Sequence, residues 1–198
     1  MCVIITTPSQ SHRPTLNQLH QCEDANRHGT GLAWVERHRV RYEKQLTVAE
    51  IHAQLKKVAG PAIVHFRIAS VGAVTPLLCH PFPVRHDASL EISGHARSVL
   101  FHNGTWGEWQ RYRDHFGIEF PCKEPVSDTR VAAALVARFG FDWLEKAAYC
   151  RWAHLSSREG IQRIGQWTKI GHCHFSNDYW QPRKEPDWLK GYDLPDKF

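Results

Sequence analysis

The chain opens Met1-Cys2-Val3-Ile4-Ile5-Thr6, in which a cysteine directly follows the initiator methionine and begins a run of strand-forming, apolar residues. If Met1 is removed, Cys2 carries a thiol and a free α-amino group. Their unperturbed pKa values are about 8.5 and about 7.7–8.0, so a nucleophile and a proton acceptor lie within reach of each other at neutral pH. The stretch predicts either a catalytic N-terminal cysteine or a small apolar residue that starts a buried strand.

Length and composition predict one compact soluble domain. The 198 residues are 42% hydrophobic and include eight Trp and nine Phe, enough to fill a sizeable core. No apolar run is long enough to span a bilayer and no secretion signal precedes the first strand, so we expect a cytoplasmic protein without a membrane partner. The six cysteines form no CxxC pair, which favours free thiols in a reducing compartment.

The charge pattern makes nucleic acid an unlikely partner. The formal net charge is +5, and the basic segment Arg37–Arg41 is typical of a solvated strand edge. Among the fourteen histidines, His172 and His174 share a strand face, but no further ligand stands at a recognisable spacing from them. The sequence therefore predicts no metal site, and nothing in it indicates a cofactor.

Strand and helix signals alternate in the first half of the chain. The segment Thr47–Glu50 forms a capping box, which predicts a helix that ends near Val58. Prolines in the stretch His80–Pro83 argue against regular structure there. Ser127 or Asp128 can cap a helix over 131–139.

The last part of the chain predicts strands again. Tyr149–Leu155, Gly160–Trp167 and Gly171–Ser176 are expected to be antiparallel strands joined by turns. The succession of strands, helices and strands predicts an α+β domain in which antiparallel sheets are covered by helices.

A set of short motifs indicates a family as well as a fold class. They occur in this order: Cys2, Asn26–Trp34, His65–Gly72, His80-Pro81-Phe82, Leu100–Gly104 and Ser127-Asp128-Thr129. Together they resemble the glutaminase domain of class II glutamine amidotransferases, which are N-terminal nucleophile hydrolases, and the closing stretch 175–180 is similar to the end of the small, stand-alone members. The resemblance implies a four-layer α/β/β/α sandwich, with residues 1–180 as a glutaminase-like catalytic domain and 181–198 as a surface tail.

The resemblance also implies the chemistry of Cys2, Asn103 and Gly104. Cys2 would attack the side-chain amide of glutamine, form a thioester and release ammonia, while its α-amine moves the proton. The Asn103 side chain and the Gly104 backbone N–H would stabilise the oxyanion. Taken alone, Asn-Gly indicates a hairpin turn, but the residues that follow lack the alternation of a return strand.

Four further positions would bind glutamine. A guanidinium meets a carboxylate with two parallel hydrogen bonds, so Arg67 would hold the α-carboxylate, although the residue alone could equally be a surface arginine. Asp128 would pair with the α-ammonium, or only cap its helix. Ser70 and Gly72 fall where the family lines the glutamine pocket.

Supporting positions and departures complete the comparison with the family pattern. Asn26 and Gly29 would lie beside the nucleophile. Where the family commonly has Trp and His, this chain has Ile68 and Val71, so contacts of those side chains do not carry over. His28 stands where an acidic residue is frequent.

The sequence thus predicts hydrolysis of glutamine to glutamate and ammonia, with the ammonia passed to a separate acceptor enzyme or released. Two alternatives remain open. One is an N-terminal nucleophile amidohydrolase that acts on another γ-glutamyl or acyl amide, and the other is a non-catalytic binding module. Nothing in the sequence indicates an oligomeric state.

Overall fold

The computed structural model describes residues 1–69 and 74–182. The strands in these ranges are β1 (Val3–Thr7), β2 (Thr30–Glu36), β3 (Arg39–Lys44), β4 (Ala62–Phe66), β5 (Phe82–Pro83), β6 (Ser93–Ala96), β7 (Ser98–Asn103), β8 (Arg151–Ser156), β9 (Gly160–Ile164), β10 (Thr168–Ile170) and β11 (Cys173–Phe175). The α-helices are α1 (Leu16–Ala25), α2 (Val48–Lys57), α3 (Trp109–Phe116) and α4 (Asp128–Phe139). Short 3₁₀ helices cover Gln10–His12, Pro76–Leu78 and Phe141–Ala147.

The strands form two antiparallel sheets. One has seven strands in the order β10-β11-β1-β4-β2-β3-β6, and the other has four in the order β5-β7-β8-β9. β1 therefore lies inside the larger sheet, between β11 and β4. This position brings the start of the chain next to the segments that follow β4 and β11.

The alternation of side chains along β1 explains the layers. Val3 and Ile5 join a core between the larger sheet and α1 and α2, because successive residues of a strand point to opposite faces. Ile4 points the other way and packs with Phe101 and Leu155 of the smaller sheet. A third core, which includes Trp152 and Leu135, joins the smaller sheet to α4. The predicted four-layer α/β/β/α sandwich is confirmed.

Side-chain caps mark where the helices α2 and α4 begin. Thr47 accepts from the Glu50 N–H at 3.3 Å while the Glu50 carboxylate accepts from the Thr47 N–H at 2.8 Å, as predicted for α2. At α4, Ser127 and not Asp128 is the N-cap, because the Ser127 hydroxyl accepts from the Arg130 N–H at 3.2 Å. The Asp128 side chain therefore does not cap α4.

Two expectations about strands were wrong. Phe82 and Pro83 form the short edge strand β5, paired with β7, since a proline fits an edge position that donates no ladder bond. The expected third strand at 171–176 does not pair with β9. It forms β11, which pairs with β1 and β10 in the larger sheet.

Further observations concern membrane-spanning helices, the cysteines and the C-terminal tail. None of the helices in residues 1–69 and 74–182 is long and apolar enough to cross a membrane. All six cysteines are free thiols, and Cys122 is the exposed one. Of the predicted surface tail, residues 183–198 lie outside the described residues.

Candidate active site

Cys2 directly precedes the central strand β1 and is held from both sides. On the β4 side, its Sγ lies 3.4 Å from both the N–H nitrogen and the carbonyl oxygen of Ile68. On the β11 side, the Asn177 amide donates to the Cys2 carbonyl at 2.7 Å, and the Ser176 N–H donates to the Ile4 carbonyl at 2.9 Å. The backbone around the thiol is therefore fixed by its two neighbouring strands.

One cavity collects four of the predicted residues. Cys2, Arg67, Gly104 and Asp128 line it together, although they come from four separate parts of the chain. Its volume is about 40 Å³. These residues therefore share one site.

Arg67 is buried, with 6% of its surface exposed, which rules out a side chain that simply extends into solvent. Its backbone N–H donates to the Gly29 carbonyl at 2.8 Å, and its carbonyl accepts from the His28 N–H at 2.9 Å. Its guanidinium donates to the Thr75 carbonyl at 3.3 Å. The strand β4 thus delivers a fixed cation to the wall of the cavity.

Asp128 places a carboxylate in the same cavity. One oxygen accepts from the Trp106 N–H at 3.1 Å and lies 3.5 Å from Nδ1 of His102, while the other accepts from the Thr129 N–H at 2.7 Å. Burial acts to raise the pKa of Asp128, but His102 and the backbone donors outweigh it, and the pKa lies below its ordinary value. Asp128 is therefore ionised at neutral pH.

The Cys2 thiol has a raised pKa. Burial raises it, and the Asp128 charge adds to this, while the Ile68 N–H, the chain's amino terminus and Arg67 act in the opposite direction without restoring the ordinary value. The thiol is mostly protonated at neutral pH in the chain that carries Met1. An attack by Cys2 therefore requires a base that takes the proton.

Asn103 and Gly104 differ in how they meet the cavity. Gly104 lines it, with a φ of +142°, and a Cβ there would lie 2.8 Å from the Cys150 Sγ. The Asn103 amide is buried and donates instead to the Ser176 hydroxyl at 2.9 Å. As expected, no hairpin follows Asn103, because the chain continues into α3.

Asn26 and Gly29 line a different cleft, of about 210 Å³. Asn26 ends α1 and donates to the Cys22 carbonyl at 3.0 Å. Gly29 has a φ of +126°, and its carbonyl accepts from the Arg67 N–H. Gly29 thus acts on the cavity through Arg67, whereas the structure does not bring Asn26 to it. Ser70 and Gly72 lie outside the described residues.

Three buried histidines in or next to the cavity, His65, His80 and His102, were not assigned from the sequence. The rings of His65 and His80 lie 4.3 Å apart. Burial lowers the pKa of His65 to about 3 and lowers that of His80 as well, so both are neutral. His102 stacks on Trp152 at 3.9 Å. Each lies in one of the motifs quoted above, which is the only sequence signal for them.

In the described part of the chain, no group of three or more His, Cys, Asp or Glu residues could hold a metal ion. The polar groups around the cavity include a thiol, a guanidinium, a carboxylate, two imidazoles and two hydroxyls. The guanidinium and the carboxylate can bind the two charges of a small zwitterion, and the thiol can act as a nucleophile.

The chain thus consists of two antiparallel sheets packed between layers of helices, with Cys2 directly before the central strand β1. Among solved structures, the chain is similar to glutamine phosphoribosylpyrophosphate amidotransferase from B. subtilis complexed with ADP and GMP. The match has 18% identity and a TM-score of 0.58, and it covers 88% of this chain and 41% of that one. A structure described as the allosteric regulatory enzyme of purine biosynthesis matches at 19% identity and a TM-score of 0.57, with the same coverage.

These similarities establish the fold. The chain spans 41% of the length of the proteins that it matches. No family profile matches the sequence, and no curated protein is similar to it.

Proposed function

We propose that this protein hydrolyses the side-chain amide of glutamine through a thioester on Cys2, after removal of Met1. The observation that carries the proposal is the single cavity lined by a thiol, a buried arginine and an ionised aspartate. Glutamine supplies a complementary group for each: an amide, an α-carboxylate and an α-ammonium. The fold likeness to glutamine amidotransferases supports the same chemistry.

The two charged residues, Arg67 and Asp128, would select glutamine over simple amides. Arg67 would hold the α-carboxylate and Asp128 the α-ammonium. A ligand that lacks either charge forgoes one charge-assisted hydrogen bond in a buried site, and such bonds are worth about 1.5–3 kcal/mol. The site is therefore expected to prefer glutamine over simple amides.

The covalent steps use groups of this chain. The Cys2 sulfur adds to the amide carbon, and its proton passes through the α-amine to the amide nitrogen, which leaves as ammonia when the C–N bond breaks. Water then adds to the thioester, the C–S bond breaks, and the proton returns to the sulfur. The Gly104 N–H would stabilise the oxyanion in both steps, joined by Asn103 once its amide turns from Ser176.

We assign the catalytic domain to residues 1–180 and place its activity in the cytoplasm, where a nucleophilic thiol stays reduced. The released ammonia would pass to a separate acceptor enzyme. This part of the proposal rests on the name of one matched protein, an amidotransferase of greater length than this chain.

Mass spectrometry of the intact protein tests the proposal, before and after treatment with a diazoketone analogue of glutamine. The expected mass lacks methionine and gains one adduct, and Cys2→Ala abolishes the adduct together with ammonia release. Because Cys122 is an exposed thiol, Cys122→Ser is the matched control and should leave both unchanged. Retention of Met1 in active protein, or full turnover by Cys2→Ala, contradicts the proposal.

A further inference from the structure

Ser176 connects the strand that follows Cys2 to the side chain of Asn103. Its backbone N–H donates to the Ile4 carbonyl at 2.9 Å, and its hydroxyl oxygen accepts from the Ile4 N–H, also at 2.9 Å. The same hydroxyl lies 2.9 Å from the Asn103 side-chain amide. Both Ser176 and Asn103 are 1% exposed, so bulk water does not compete for these contacts. The position of the Ser176 hydroxyl is therefore fixed by β1.

The observed orientation of the Asn103 amide leaves two polar groups unpaired. The Ser176 oxygen accepts from both the Ile4 N–H and the Asn103 nitrogen, and its own hydrogen has no acceptor in residues 1–69 and 74–182. The Asn103 Oδ1 atom is buried and accepts no hydrogen bond in the same ranges. Each buried polar group without a partner costs free energy. This orientation therefore leaves a donor and an acceptor of the pair unused.

A half turn of the amide group about its last side-chain bond pairs both of these groups. The amide nitrogen and oxygen have nearly the same size, so the turn exchanges them without repacking. The Ser176 hydroxyl, which still accepts from Ile4, can then donate to the Asn103 oxygen. The Asn103 NH2 group takes the place that the unpaired oxygen held. It is then a buried donor without an acceptor, and an anion would complete it.

The proposed reaction supplies such an anion. Asn103 is the last residue of β7, and the next residue, Gly104, lines the cavity with Cys2. The amide oxygen of glutamine becomes an oxyanion when the sulfur adds to the carbon. Because Ser176 is held by β1, its hydroxyl can keep the Asn103 NH2 group in the turned orientation before that charge develops. Donors that are fixed in advance stabilise a developing charge without the cost of reorienting them.

We propose that Ser176 is a positioning residue for the oxyanion donor: its hydroxyl donates to the Asn103 amide oxygen during turnover and keeps the NH2 group directed towards the oxyanion. The inference rests on the proposed function, in which Asn103 is an oxyanion donor, and adds the residue that orients it. Ser176 is not one of the described residues that line the Cys2 cavity, so it acts through Asn103.

The test is a double-mutant cycle on the full-length, Met1-processed protein with glutamine as substrate. Ser176→Ala should lower kcat by at least about tenfold, part of the roughly 10²–10³-fold that the loss of one oxyanion donor costs, and should leave KM within about twofold. In an Asn103→Ala background the donor is already absent, so Ser176→Ala should change kcat by less than about twofold. The two effects are therefore expected not to multiply.

Two further measurements separate positioning from a general structural role. Iodoacetamide alkylates Cys2 without forming an oxyanion on an acyl group, so in a Cys122→Ser background its rate should be the same with and without Ser176→Ala. Ser176→Thr keeps a hydroxyl donor and should retain kcat within about threefold. This variant also tests the proposal if Ser176→Ala fails to fold.

Ser156→Ala is the matched control. The Ser156 hydroxyl is likewise buried, and it accepts from two backbone N–H groups, at 3.2 and 3.3 Å. It lies at the opposite end of the β7–β8 pair from Asn103. Its loss should therefore leave kcat and KM unchanged.

The outcomes distinguish this inference from the proposed function. If glutamine is hydrolysed through Cys2 but Ser176→Ala keeps full kcat, lowers it equally with and without Asn103, or slows alkylation in parallel with turnover, Ser176 does not position the donor and the proposed function stands. A folded Ser176→Thr that loses kcat by more than about tenfold has the same meaning. If the wild-type protein releases no ammonia, or Cys2→Ala still does, the proposed function itself fails, and this inference with it.

Discussion

At the scale of single residues, the reactivity of Cys2 depends on where the amino terminus lies. Burial raises the pKa of the thiol, and the positive terminus opposes this from the far side of Met1. Removal of Met1 moves that charge onto Cys2 itself, where its field is stronger because Coulomb energy rises as distance falls. The processed thiol should therefore have a lower pKa than the unprocessed one.

The rate of alkylation of Cys2 by iodoacetamide, measured against pH, compares the thiol pKa of the two forms. In both forms the rate should rise with pH, because only the thiolate reacts, and the midpoint for the Met1-bearing form should lie above the ordinary thiol pKa of about 8.5. The processed form should react faster at pH 7. A Cys122→Ser background removes the exposed competing thiol, and equal rates for the two forms would contradict the role of the terminal amine.

Arg67 allows a second residue-scale prediction. Arg67→Gln removes a buried cation from the cavity while Asp128 remains ionised. We expect kcat/KM for glutamine to fall by at least about 100-fold, mainly through KM, because breaking a pairing with a buried charge costs about 3–5 kcal/mol. Steady-state kinetics of ammonia release measure both kcat/KM and KM. Arg111→Gln, at a side chain that is 82% exposed, is the control, and an unchanged KM in Arg67→Gln would reject the carboxylate role.

At the scale of elements, two capping boxes differ in charge. Thr15 caps α1 with neutral Gln18, and Thr47 caps α2 with Glu50. Thr15→Ala and Thr47→Ala should each lower the free energy of unfolding by about 1 kcal/mol at pH 7. Hydrogen bonds from the Thr47 N–H and hydroxyl lower the pKa of Glu50, and such a carboxylate stabilises the fold above its ordinary pKa and loses this contribution as pH falls through the folded value.

The cost of Thr47→Ala should therefore shrink below about pH 4, while the cost of Thr15→Ala should not. Urea unfolding of both variants at pH 7 and at acidic pH measures the difference. A parallel change in the two variants would mean that the Glu50 bond to Thr47 contributes nothing.

Elements with local signals could be predicted, and those defined by distant partners could not. The capping box of Thr47 fixed the start of α2 because all its contacts lie within one turn. β11 was assigned to the wrong neighbours because its partner β1 lies at the other end of the chain. The strand β10 was missed because its Thr168 and Lys169 are exposed and show no apolar alternation.

The same division holds for the site. The cavity residues that belong to short motifs, Cys2, Arg67, Gly104 and Asp128, could be predicted by resemblance. The Ser176 contact that occupies the Asn103 amide joins β7 of the smaller sheet to the residue that follows β11 of the larger one, and no local pattern indicates such a contact.

At the scale of the whole molecule, the site requires that the loop before β5 lies directly on the larger sheet. Gly31 in β2 makes this possible, because a Cβ there would lie 1.7 Å from the His80 carbonyl oxygen. His80 lines the cavity with Cys2. A side chain at position 31 would therefore push one wall of the cavity away from the sheet that holds the nucleophile.

Gly31→Ala should lower the free energy of unfolding by about 1–3 kcal/mol, as overpacking against backbone typically does, and should also reduce kcat/KM for glutamine. Gly60→Ala is the matched control, since a Cβ there meets nothing within 4 Å, and it should change neither quantity. Urea unfolding and ammonia release at a temperature where both variants are folded give the two measurements. Loss of stability with full activity would show that the position of His80 does not control the cavity, whereas loss of both would connect the packing between the layers to the chemistry at Cys2.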